Sequence, residues 1–98
     1  MPSPTIIREE TIFLKTEKFK VATNSKPNKV AGAIVRALKT NSAVELYAIG
    51  AGAVNQAIKA IAIASVFSED KLVCVPGFCD LDFDGEAKTG IKITIKAA

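Results

Sequence analysis

Apolar and polar positions follow a period of two in some stretches of the chain and a helical period in others, and the order of these stretches predicts a fold. Phe19 and Val21 alternate with Lys18, Lys20 and Ala22, the pattern of a half-buried strand. The run Asn24-Ser25-Lys26-Pro27-Asn28 then combines capping side chains with a proline suited to a first helical position. Val30, Ala33, Ile34, Ala37 and Leu38 fall on one helical face, with Lys29, Arg36 and Lys39 elsewhere on the wheel. This predicts an amphipathic helix with a basic outer surface, ended by Thr40, Asn41 and Ser42.

Val44, Leu46 and Ile49, with Tyr47 and Ala48 between them, form a near-continuous apolar run, which predicts a central strand covered on both faces. Gly50-Ala51-Gly52 turns the chain into a second helix lasting to about Val66. Val54, Ala57, Ile58 and Ile61 make one face of it, yet Ile63 and Val66 lie well off that face. A helix apolar nearly all round needs cover on more than one side, and in so small a domain another subunit is the simplest second cover. Its polar residues Asn55, Gln56 and Lys59 share an exposed stripe with Gly52.

Lys71 to Val75 predicts a strand ending at Pro76-Gly77. Leu81 and Phe83 alternate with acids, Ile91, Ile93 and Ile95 alternate with Lys92, Thr94 and Lys96, and Asp84-Gly85 between them predicts a hairpin turn. The fold class is therefore α/β in two layers: β-α-β-α-β-β, a mixed four-stranded sheet with two helices. Residues 1–17 read as an N-terminal tail and 18–98 as the domain. Within the tail, Ile12, Phe13 and Leu14 suit an edge strand or a contact with a neighbour.

Composition narrows the function. The chain has 98 residues, 49% hydrophobic and 23% charged, enough for one core. Lys59 divides the most apolar segment, Ala48 to Phe67, so it falls short of the ~20 uninterrupted residues of a membrane span. With no secretory signal pattern at the start, a cytoplasmic location and no membrane partner are expected. Cys74 and Cys79 lie five positions apart in a chain without histidine, which does not match zinc spacing, and Cys74 reads as a buried strand residue. From Lys18 to Val66 seven basic residues face one acid, Glu45, whereas from Phe67 onward four face six. The front half can steer a polyanion to one surface.

Four candidate sites follow. Gly50 and Gly52, between strand and helix, could hold an anion on free amides, although a third glycine near position 55 and a Walker lysine are both missing. Asp80-Leu81-Asp82-Phe83-Asp84-Gly85 resembles the opening of a calcium loop, but Ile91 stands where its bidentate glutamate is required, so no metal is expected. No nucleophile is paired with a base, which points away from an enzyme, and no cofactor is implied. Lys20, Lys26, Lys29, Arg36 and Lys39, joined by Lys59 if the helix starts share one sheet edge, form a basic surface for a nucleic-acid backbone.

Asn24-Ser25-Lys26-Pro27-Asn28-Lys29-Val30-Ala31-Gly32-Ala33 and the stretch Ala48 to Ala60 resemble the two signature segments of the stage V sporulation protein S family. The likeness continues through Val75-Pro76-Gly77-Phe78 and Asp84-Gly85-Glu86 to Ile91-Lys92, covering about residues 18–96. The resemblance implies an Alba-like fold, a dimer or higher oligomer such as a tetramer, a link to late endospore development and nucleic-acid (DNA or RNA) binding. Lys26-Pro27 resembles the step where Alba proteins approach the nucleic-acid backbone, and Asn55 and Lys59 match positions near that surface. Alba proteins carry an arginine before the second helix and a basic hairpin. This chain has Ala51, Gly52 and Ala53, and a hairpin with Asp82, Asp84 and Glu86. The expectation is thus an Alba-like regulatory protein that contacts nucleic acid through Lys20, Lys26, Lys29, Arg36, Asn55 and Lys59. The alternatives are an oligomeric protein-interaction module and a sensor of a small anionic ligand.

Overall fold

The computed structural model describes residues 16–98. Its elements are β1 (Thr16–Val21), α1 (Pro27–Leu38), β2 (Ala43–Ala48), α2 (Ala51–Phe67), β3 (Leu72–Phe83) and β4 (Glu86–Ala97). The expected Alba-like order is present, and the sheet runs β1-β2-β4-β3. β1 lies parallel to β2, while β4 is antiparallel to both its neighbours. The Ile12 to Leu14 patch lies outside the described residues.

Both helices cover one face of the sheet. Val21, Val44, Leu46, Ala48, Ile93 and Ile95 point into that layer and are buried, meeting Ala31, Ile34, Ala57 and Ala60. β2 is central as expected, but only one of its faces is covered: Glu45, Tyr47 and Ile49 alternate with the buried residues and stay half-buried. Tyr47 and Glu45 are amphipathic enough to make an open face out of what reads as an apolar run.

Helix α2 packs differently from the hydrophobicity pattern. Its buried residues are Ala53, Ala57, Ala60 and Ala64, whereas Ile58 of the expected apolar face is 48% exposed. Small side chains let the helix backbone approach its neighbours closely, so the alanine stripe, not the bulky one, faces inward. Ile63 packs partly against the core, and Val66 and Phe67 are exposed.

β3 is one strand of 12 residues rather than a strand ended by Pro76-Gly77. It lies at the sheet edge, where a proline does not interrupt a ladder on its outer side. Leu72 at the start of β3 still packs against the core, but the helices leave the strand beyond it largely uncovered, which is why Cys74 is exposed rather than buried. The turn between β3 and β4 is Asp84-Gly85, both at positive φ (54° and 80°), the geometry of a two-residue hairpin loop.

Where β4 passes the end of β2, Gly90 is buried and has no room for a side chain. A Cβ there would lie 2.8 Å from the Ala48 carbonyl oxygen. Gly90→Ala is therefore expected to lower stability by about 2 kcal/mol, measured as a reduced urea midpoint with an unchanged slope.

Candidate nucleic-acid interface

The first helix begins in a way that isolated helices avoid. Lys26 is its N-cap residue with no side-chain cap, Pro27 follows, and no acid occupies the first turn. Ser25, expected as a capping side chain, instead accepts from the Ala22 amide at 2.8 Å and closes the preceding turn. Lys26 and Lys29 thus stand at the positive end of the helix dipole, a placement that costs stability unless an anion is present.

The two helix starts are joined. Gln56 donates to the Ser25 carbonyl oxygen at 2.8 Å, fixing the second turn of α2 against the residue before Lys26. Gly52 is also pressed on this loop, since a Cβ there would come within 2.9 Å of the Thr23 side chain. Lys59 lies one turn beyond Gln56 and one turn before Ile63, which lines a groove with Asn28 and Gly32 of α1. Lys59 therefore flanks the start of α1, and Asn55 beside it is exposed.

The six expected residues do not all meet. Lys26, Lys29 and Lys59 gather around the two helix starts, whereas Asn55, near the start of α2, lines the cleft between that helix and the hairpin with Ile58 and Phe78. Arg36 shares the exposed stripe of Lys29, but seven residues on, about 10 Å along the axis. It lies at the far end of the inter-helix groove, beside Phe67. Lys20 is on the other side of the sheet, because Val21 next to it points into the core. That alternation was visible in the sequence.

Neither helix contains an acidic residue, so Lys26, Lys29, Arg36, Lys39 and Lys59 give their outer layer a single sign of charge. Each loop glycine has a backbone role. Gly50 adopts φ +90° before α2, where its carbonyl accepts from the Val54 amide at 3.1 Å, and Gly52 makes the close approach to Thr23.

On the opposite face Tyr47 donates its hydroxyl to Glu45 Oε1 at 2.6 Å. That hydrogen bond, then partial burial and the carboxylate charge, push the phenol up to about 12 from an ordinary 10. The unfolded chain loses this proton first, so the stability contributed is complete below pH 10 and lost as pH rises through about 12. Ultraviolet titration of the native protein should place the midpoint well above that of the denatured chain, and Glu45→Gln should bring it down.

These features define a class: a small two-layer α/β domain with an acid-free basic helix layer over one sheet face and the other face open. Residues 17–98 match the family model of stage V sporulation protein S (SpoVS), and the chain belongs to that family. The family is linked by name to sporulation. Among the described residues no helix is long and apolar enough to cross a membrane.

Proposed function

We propose that this protein is a regulatory module that binds a nucleic-acid backbone through its helix layer and acts by binding, not by catalysis. The observation that supports the reading is the pairing of the helix starts by Gln56 and Ser25, which gathers Lys26, Lys29 and Lys59 on two helices that hold no acid of their own. Phosphates neutralise these lysines and meet the positive end of the α1 dipole at the Asn28 amide, since Pro27 has no N–H and the Lys29 amide already donates to the Lys26 carbonyl. Asn55 adds a donor to a phosphate oxygen, and Arg36 extends contact along the groove. Such contacts position the duplex without reading its sequence.

A second copy of the chain completes the assembly in this reading. Ile58 and Phe78 line an open cleft between α2 and the hairpin, and Phe78 is 82% exposed. Val66, at 76%, continues the uncovered surface along α2. Covering it with a second protomer adds the buried area that a domain of this size lacks.

The direct experiment is fluorescence anisotropy with a short labelled duplex at two salt concentrations. Affinity should fall steeply as salt rises, with a log–log slope of roughly −3 to −4 for the four basic residues Lys26, Lys29, Arg36 and Lys59. No binding at low salt would instead favour a protein-interaction role.

A further inference from the structure

We propose that the open sheet face is a second binding surface, one that takes an unpaired nucleotide of a single-stranded nucleic acid with its base on Tyr47. The helix layer suits a duplex backbone, and this face is separate from it. It does not rest on the helix-layer reading.

The strand register supplies the geometry. Lys20 is paired with Tyr47, and Tyr47 with Lys92, so one aromatic ring stands between two lysines in a cross-strand row. Lys18 and Glu45 form the next row with Thr94. By the same alternation Lys88 and Lys96 share this face with Lys92, whereas Asp80 and Asp82 of the partner strand take the other parity. The hairpin that looks acidic in sequence is thus two-sided. Five lysines (Lys18, Lys20, Lys88, Lys92 and Lys96) occupy the open face against Glu45 and, at the hairpin tip, Glu86.

A cleft of about 350 Å³ opens on this face. Tyr47, Ile49 and Leu81 line it with apolar surface, Lys20 and Lys88 flank it, and Asp82 stands at its rim. The volume is at the small end for a ligand site, which suits one nucleotide. A base stacks on the exposed part of the Tyr47 ring, and its neighbouring phosphates meet Lys20 and Lys92. A duplex keeps its bases stacked inside and cannot offer a free π-face here. Charge and shape together select a single strand.

Tyr47 is the one tyrosine in a chain without tryptophan, so its emission reports this face alone. Titration of the full chain with short oligo-dC and oligo-rC should quench that emission, and a self-complementary duplex of equal length should not. With labelled single strands, Tyr47→Ala should weaken binding about 10-fold and Tyr47→Phe should restore it, because the ring rather than the hydroxyl stacks. Lys20→Glu with Lys92→Glu should abolish the quench while duplex binding, followed by anisotropy, stays unchanged. A cytidine mononucleotide that quenches as strongly as the oligonucleotide at equal concentration would overturn the strand assignment. Single-strand binding without a quench, or a quench that depends only on protein concentration and marks a second copy on this face, would overturn the proposal. Loss of duplex binding alone touches only the helix-layer reading.

Discussion

Reversing two charges, Lys26→Glu and Lys59→Glu, should reduce duplex affinity on the order of 100-fold at low salt and remove about two units from the salt slope. Both side chains are exposed, so the change leaves the fold alone. It also improves the electrostatics of α1, because a glutamate at the N-cap position meets the helix dipole more favourably than a lysine. The variant should therefore melt no lower than the wild type while binding far more weakly. That opposition of signs separates a functional surface from a merely solvated one. Anisotropy and thermal melting on the same preparation check it. Retained affinity would place phosphate contact somewhere other than the joined helix starts.

Ala60→Leu should destabilise the domain by about 3 kcal/mol, whereas Ile58→Ala should cost less than about 1 kcal/mol. Ala60 is fully buried in the stripe that carries α2 against the core, and three added carbons there force the helix away from its neighbours. Ile58 is nearly half exposed and leaves little cavity when truncated in a monomer. The order is the reverse of what hydrophobicity alone implies. Urea unfolding of both variants at low protein concentration decides it, and equal losses would mean that the alanine stripe does not set the packing. A larger loss for Ile58→Ala at high concentration only would point to a second protomer on that surface.

These two residues also show where sequence reading stops. Strand periods and the Asp84-Gly85 turn were legible because they depend on local rules: side chains alternate along a strand, and the tight turn requires positive φ at both positions. The inner face of α2 was not, because a helical wheel read for hydrophobicity favours large side chains, and close packing here selected small ones. Pro76 read as a strand end for a similar reason. Its tolerance depends on β3 being an edge strand, a property of the sheet order rather than of the residues around it.

Site residues divide in the same way. Lys26 and Lys59 could be brought together from topology alone, since helices that follow parallel strands begin at one end of the sheet. Lys20 could have been assigned to the opposite face from its alternation with Val21. Lys92 and Lys88 were hidden by the net acidity of the hairpin, which sums two faces of opposite character. Only the β3–β4 register separates them.

The most direct measurement is an amide chemical-shift titration of the labelled protein with a short duplex at low salt. The largest changes should cluster at Lys26, Asn28, Lys29, Asn55 and Lys59, with the Asp84-Gly85 turn unmoved. Changes centred on the turn, or none at all, would contradict binding through the joined helix starts.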